Sequence, residues 1–234
     1  MGKNLRQQRR GRGTPRYRSP GHRFLGKVSY PTYGGVAVGK VVDILHAPGR
    51  TLPMAVVDFN GKRELMLPAE GMYVGRMIEV GGKPESGNIL SLGQVPEGTK
   101  IFNIELNPGD GGRFCRSSGS FAILVSRGED ECTVFLPSKQ KKVLSARCRA
   151  TIGVAAASGR TEKFFMRAGN KYYKMKALNK YWPTVRGVAK NPVDHPFGGS
   201  AHTGIHKTTS KHMPPGKKVG SVSPSRTGKL KRKK

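Results

Sequence analysis

A chain of 234 residues has room for one medium domain or two small ones, and this one carries 43 Lys and Arg against 14 Asp and Glu, a net +29. So large an excess is self-repelling in a lone soluble protein and calls for a polyanionic partner; no apolar run nears the roughly 20 residues of a spanning helix, which ranks a membrane behind RNA and DNA. Three cysteines without a Cys-x-x-Cys pair argue against a disulfide framework and a structural zinc site, and fit a reducing cytosol.

The charge is unevenly spread. Residues 1–40 hold 10 Lys and Arg and no acid; residues 41–162 hold 15 against 13 acids, leaving +2; residues 163–234 hold 18 against the single acid Asp194. A nearly neutral middle is therefore flanked by two basic arms. The first arm, residues 1–36, is rich in Arg, Gly and Pro and lacks an apolar signal region. Its composition predicts an extension that builds no core and is disordered when free. Gly34-Gly-Val-Ala-Val-Gly39-Lys40-Val41 then approaches a phosphate-binding loop, but Val41 offers no oxygen to magnesium and begins a run that reads as a strand, not a helix.

Residues 37–92 read as a five-stranded oligonucleotide-binding barrel. Val41–Leu45 is its first strand, and His46-Ala-Pro-Gly-Arg50 is a Gly-flanked basic loop after it. Met54–Phe59 and Lys62–Leu67 flank Asn60-Gly61, whose two positive-φ residues suit a type I′ hairpin turn. Met77–Val80 and Ile89–Leu92 complete the series. Gln94-Val-Pro-Glu-Gly98 marks the boundary to residues 93–175, read as an SH3-like barrel from strands at Ile101–Leu106, Phe121–Ser126, Cys132–Leu136 and Val143–Arg147. Between the first two of these, Pro108-Gly-Asp-Gly-Gly112 runs into Arg113 and Arg116-Ser-Ser-Gly119. Small residues let backbone approach a sugar-phosphate chain while Arg forks onto phosphate oxygens. Only Thr161–Tyr181 has the length for a helix, and Gly169 interrupts it. The fold class is thus mainly β, with two small barrels and long basic extensions.

Residues 176–234 form the second extension. From Pro183 onward only 8 of 52 residues are Leu, Ile, Val or Phe, below the roughly 20% at which highly charged chains tend to stay unfolded. The stretch ends on Lys229-Leu-Lys-Arg-Lys-Lys234, which alone would be a solvated tail or a localisation tag. Inside it, Pro183-Thr-Val-Arg186-Gly and Asn191-Pro-Val-Asp-His195-Pro-Phe-Gly198-Gly199 make a rigid Pro/Gly loop presenting one Asn, one Asp and one His. Asp194, His195 and Ser200 suggest a hydrolytic triad, yet adjacent residues in extended chain point apart, so Asp194 cannot orient the His195 ring. His202 and His206 have metal-ligand spacing with His212 beyond, but Gly204 breaks the helix they would need and no Glu or Cys completes the set. Arg50, Arg113, Arg116, Arg186, Asn191, His195, Gly198 and Gly199 are the candidate RNA-contacting residues, with neither catalytic nor metal-ligating residues expected. The rival readings are a chromatin-like DNA-compacting protein, which would not need two neutral barrels, and a nucleic-acid enzyme, which lacks a carboxylate cluster for magnesium.

Val185-Arg-Gly-Val-Ala-Lys-Asn-Pro-Val-Asp-His-Pro-Phe-Gly-Gly199 closely resembles the signature loop of the universal large-subunit ribosomal protein L-two family. Leu106-Asn-Pro-Gly-Asp-Gly-Gly-Arg-Phe-Cys-Arg-Ser-Ser-Gly119 and Cys148-Arg-Ala-Thr-Ile-Gly153 resemble it too, in the family's order. Phe197 replaces the second His of bacterial members, which with the short Gly/Arg N-terminus points to the archaeal type ahead of the eukaryotic. The resemblance implies the same two barrels, binding to large-subunit rRNA, neighbouring large-subunit proteins, contacts that join the small subunit, and a place near the peptidyl transferase centre. It ties Arg50 and Arg116 to RNA binding and places His195 where it positions rRNA; peptide-bond formation belongs to RNA, so the chain is not expected to be an enzyme. No cofactor is expected, and magnesium and potassium ions are the candidates for bridging protein to rRNA. The implied location is the cytoplasmic ribosome.

Overall fold

The computed structural model describes residues 2–19, 21–32, 35–199 and 208–226. Ser200, His202, His206, Gly34 and the Lys/Arg-rich end from 229 lie outside the described residues. The chain divides into two compact units, one running Pro20–Phe164 and the other joining Met1–Ser19 to Phe165–Lys234.

In the first unit the hairpin predicted at Asn60-Gly61 forms as expected. Both residues take positive φ, 51° and 86°, and Asp58 Oδ1 accepts the Gly61 N–H at 2.8 Å. This turn joins β2 (Met54–Phe59) to β3 (Lys62–Met66), with Phe59 opposite Lys62. β1 (Ala37–Leu45) pairs antiparallel with β2 on one side and with β4 (Met77–Val80) on the other. The resulting order, β3-β2-β1-β4 and then β5 (Ile89–Ser91), is a Greek key, in which the fourth strand returns beside the first. Gly39 and Lys40 lie within β1, so the apparent phosphate loop is a strand. Gly39 is there for packing: a Cβ at that position would collide with the Phe59 ring.

The second barrel is a meander of β6 (Lys100–Phe102), β7 (Ala122–Arg127), β8 (Glu131–Phe135) and β9 (Lys141–Ser145). A further strand, β10 (Arg149–Ile152), pairs antiparallel with both β5 and β6. It thereby stitches the barrels into one ten-stranded sheet. No strand was expected there from sequence. The segment is four residues long and alternates poorly, so its pairing is set by its neighbours. The architecture is mainly β, an oligonucleotide-binding barrel followed by an SH3-like barrel.

Each barrel has its own core. Val41, Val57, Phe59, Ile78 and Ile89 fill the first; Leu92, Ile101, Leu124, Val134 and Ala150 fill the second. A third cluster sits between them, with Leu52, Met54 and Leu67 from one barrel and Phe102 and Ala155 from the other. Val28 joins this cluster and Tyr30 joins the first core. That corrects the expectation that residues 1–36 contribute no core. Two apolar side chains in an Arg/Gly-rich stretch suffice to fasten it, because each removes most of a large side chain from water, at about 1.5–3 kcal/mol apiece.

The second unit holds α1 (Arg6–Gly11), α2 (Ala168–Ala177) and two short parallel strands, β11 (Thr208–Thr209) and β12 (Ser221–Val222). Gly169 occupies the second position of α2, in the first turn, where it ends nothing. The helix stops at Asn179, which turns left-handed at φ 53° while the Lys180 N–H donates back to the Met175 carbonyl at 2.8 Å. The boundary expected at 175/176 falls inside this helix.

Candidate nucleic-acid interface

The Gly-rich loop after β6 is organised by one buried acid. Glu105 is fully buried, and such a carboxylate needs partners on every lone pair. It accepts the N–H groups of Gly111 and Gly109 from the loop, at 3.0 and 3.2 Å, and the N–H of Arg149 from β10 at 2.9 Å. The Arg149 guanidinium closes the set with Nη2 3.0 Å from Oε1. Arg149 also donates from Nη1 to the Pro31 carbonyl at 2.7 Å and lies 5.2 Å from the centre of the Tyr30 ring. The Tyr30 hydroxyl donates to the Asn103 carbonyl at 2.7 Å and meets Thr151 Oγ1 at 2.8 Å. Burial drives the Tyr30 pKa far above its ordinary value, so the phenol stays protonated as a donor. One network thus ties the loop, β10 and the N-terminal segment together.

Within the loop, Asp110 accepts the N–H groups of Leu106, Asn107 and Gly112. These bonds, with the nearby Arg113, hold its pKa below the ordinary carboxylate value although burial works the other way. Gly112 could not carry a side chain, since a Cβ would overlap Asn103. The loop so shaped presents arginines. Arg113 is exposed and lies 3.7 Å from Asp110. Arg116 donates from Nη1 to the Gly112 carbonyl at 2.8 Å, while its Nε is buried with no hydrogen-bond partner. Its pKa is lowered first by burial and then by the charge of Arg50, with Arg113 adding to it. Three arginines proposed from separate sequence positions, Arg50, Arg113 and Arg116, therefore share one electrostatic neighbourhood. Their mutual repulsion stabilises a bound polyanion relative to the free protein.

The remaining candidates, Arg186, Asn191, His195, Gly198 and Gly199, lie in the second unit, in one tight loop. The Asn191 carbonyl accepts the N–H groups of Asp194 and His195, and the Lys190 carbonyl accepts that of Gly199. A Cβ on Gly198 would strike the Lys190 and Asn191 carbonyls, and one on Gly187 would strike the His195 ring. The ring is thus clamped against Gly187 on one side and meets Phe197 edge-on at 5.2 Å. The Phe197 N–H donates to His195 Nδ1 at 3.0 Å, which leaves the neutral ring's proton on Nε2. Burial, then the charge of Lys190, lowers the His195 pKa from 6.5. Asp194 does not orient this ring: its carboxylate pairs with Lys3 Nζ at 3.2 Å. Among the described residues no three His, Cys, Asp or Glu side chains group to hold a metal, and His212 is exposed.

Sequence reasoning missed the supports of both loops. Buried Glu105 and partly exposed Arg149 pair across 44 residues, and the only sequence cue was an acid beside a Gly-rich loop and an Arg in the Cys148–Gly153 motif. Residues 1–19 were also missed as a partner of the histidine loop. The Lys3 N–H donates to the Val193 carbonyl at 2.8 Å, and Arg6 Nη1 donates to Thr184 Oγ1 at 3.1 Å. Asn179 Nδ2 donates to the carbonyls of Pro15 and Arg18.

The protein family described as "Ribosomal Proteins L2, C-terminal domain" matches residues 85–220. The chain belongs to the ribosomal L2 family. Two curated relatives, each named large ribosomal subunit protein uL2, are 51% identical to it, from Methanothermobacter thermautotrophicus and Methanosphaera stadtmanae. In both cases the match covers 98% of this chain and 99% of the relative. That of Methanococcus maripaludis is 49% identical over 98% of this chain and all of the relative. These three relatives are archaeal, in agreement with the type inferred from Phe197 and the short Gly/Arg N-terminus. Membership in the L2 family gives no support to the alternative of a chromatin-like DNA-compacting protein.

Proposed function

We propose that the chain is a structural constituent of the large ribosomal subunit, that it binds large-subunit rRNA, and that it has no enzymatic activity of its own. The arginine neighbourhood of Arg50, Arg113 and Arg116 carries this reading. Arg113 and the half-buried Arg116 stand on the loop of small residues held by Glu105, and Arg50 joins their electrostatic neighbourhood from the loop after β1. Guanidinium groups gathered so closely favour an anionic partner, and phosphate oxygens match their fork geometry. The histidine loop is the second contact region. There Arg186 meets phosphate, Asn191, Gly198 and Gly199 fix the loop's shape, and His195 positions rRNA near the peptidyl transferase region as a neutral hydrogen-bond donor. In this reading residues 20–164 carry the two barrels, and residues 1–19 and 165–234 make up the basic unit. The partners are rRNA, adjoining large-subunit proteins and, through intersubunit contacts, the small subunit. The site of action is the cytoplasmic ribosome, with magnesium and potassium ions bridging protein to rRNA and no bound cofactor.

The test is sedimentation of tagged protein from cell extract, together with binding titrations. Co-migration with the large subunit is expected. So is tighter binding to an rRNA fragment than to a DNA duplex of equal length, with log affinity falling steeply against log salt. Free or chromatin-bound protein, or equal affinity with a shallow slope, would refute the proposal.

A further inference from the structure

The second unit contains a cleft of about 480 Å³ lined by Arg186 and His195, and the reading above does not say which part of the RNA enters it. One wall comes from α1 and the turn after it, the other from residues 181–195. We propose that this cleft is a pocket for a single unpaired RNA nucleotide, with its base against Tyr17 and Tyr181 and its flanking phosphates on Arg6, Arg9 and Arg186. This rests on the rRNA-binding reading and specifies what one of its surfaces recognises.

Three observations carry it. The first is size and shape: the volume lies within the range of small-ligand sites, while a duplex cannot enter a concavity of that scale. The second is charge. Arg6, Arg9, Arg186 and Lys190 all line the cleft, and its one acid, Asp194, is already paired with Lys3. An anionic occupant is required to offset that density. The third is the aromatic lining. Tyr181 remains 38% exposed, and its ring is flanked by the guanidinium groups of Arg6 and Arg16 at 5.5 and 5.6 Å from its centre. Tyr17 lines the same cleft. Aromatic and guanidinium planes together are the surfaces on which unstacked bases lie. His195 adds one directed donor, the Nε2–H left by the Phe197 bond to Nδ1. Both walls are held in place, by Arg6 to Thr184 and by Lys3 to Val193, so the pocket exists before the RNA arrives.

A base inside a helix must be unstacked to reach such a pocket, which favours bulges, loops and mismatches over paired sites. The test uses the full chain and two RNA duplexes of equal length. One carries a single bulged 2-aminopurine and the other is fully paired with the same fluorophore. The bulged RNA should bind about tenfold tighter, and its fluorescence should fall on binding as the base stacks. Tyr181→Leu should remove that preference and leave affinity for the paired duplex and its salt slope within twofold of the original. Tyr181→Phe, which keeps the ring, should retain the preference. Should Tyr181→Leu lose its thermal transition, Tyr17→Leu serves as the second variant with the same expected loss. Equal affinities for the two RNAs, or a preference that survives in the folded Leu variant, would overturn the pocket while leaving rRNA binding intact. Binding of both RNAs no tighter than a DNA duplex of the same length would instead overturn the underlying reading.

Discussion

At the residue scale, function depends on side chains whose chemistry is set by what surrounds them. His195 is the clearest case. Its Nδ1 already accepts the Phe197 N–H, so a second proton can be added only by breaking that bond. Burial and Lys190 oppose protonation as well, and its pKa is lowered from 6.5. In nitrogen-detected NMR of the free protein, His195 should show the Nε2–H tautomer at pH values above 6.5 and titrate with a midpoint below 6.5. The folded state then binds fewer protons than the unfolded chain between that midpoint and 6.5. Its contribution to stability is therefore present above 6.5 and is lost as pH falls through this window. A midpoint above 6.5, or an Nδ1–H tautomer, would contradict the geometry. Glu105 is the counterpart in the first unit. Glu105→Ala removes the buried partner of the Arg149 ion pair and leaves two loop N–H groups without their acceptor. Urea unfolding should report a loss of about 3–5 kcal/mol, far more than Arg113→Ala at an exposed position, and RNA binding should weaken as the loop loosens. A loss below about 1 kcal/mol, the worth of an ordinary hydrogen bond, would show that the loop holds its shape without the acid.

At the element scale, what the sequence disclosed depended on how local the determinants were. The Asn60-Gly61 hairpin was legible because its turn chemistry and both flanking strands are contiguous in the chain, from Met54 to Met66. Strands at Met54–Phe59 and Met77–Val80 fall where expected because apolar residues with β preference are bounded there by turn residues. β10 was not legible, since Arg149–Ile152 is a strand only because β5 and β6 each offer it an edge. α1 was also hidden. Its Arg-Gln-Gln-Arg-Arg-Gly has no apolar stripe, and it is anchored instead by the buried Leu5 just ahead of it. The hairpin gives a direct check of local determination. Gly61 sits at φ 86° with open space around it, so a side chain there meets strain and no collision. Gly61→Val should therefore cost about 1–3 kcal/mol in thermal or urea unfolding and leave rRNA affinity unchanged. A neutral effect would mean the turn relaxes to another type.

At the scale of the whole molecule, the candidate residues were recoverable and their organisation was not. The eight residues proposed from sequence fall into two groups in two units, and each group depends on partners far away in sequence. Arg50 joins Arg116 across 66 positions, and Arg6 reaches Thr184 across 178. Composition alone makes residues 1–36 and 176–234 look like independent tails. The structure instead shows them bonded to one another through Lys3, Arg6 and Asn179. Charge follows the same division. Residues 20–164 hold 19 Lys and Arg against 13 acids, only +6 of the total +29. That unit also contains the three apolar core clusters found among the described residues, so a fragment spanning residues 20–164 should unfold cooperatively without the rest. It should still bind rRNA through Arg50, Arg113 and Arg116, but with a much shallower salt dependence. Every phosphate that the fragment leaves unneutralised takes about 0.7–0.9 off the slope of log affinity against log salt. Removing residues 1–19 alone should do something different. It deletes 7 Lys and Arg and also one wall of the cleft, so the His195 loop should lose amide protection although none of its residues has changed. Hydrogen exchange on residues 184–199, compared between the whole chain and this shortened one, separates the two roles of the N-terminal segment. Faster exchange there identifies it as a structural partner of the histidine loop; unchanged protection would reduce it to a carrier of charge.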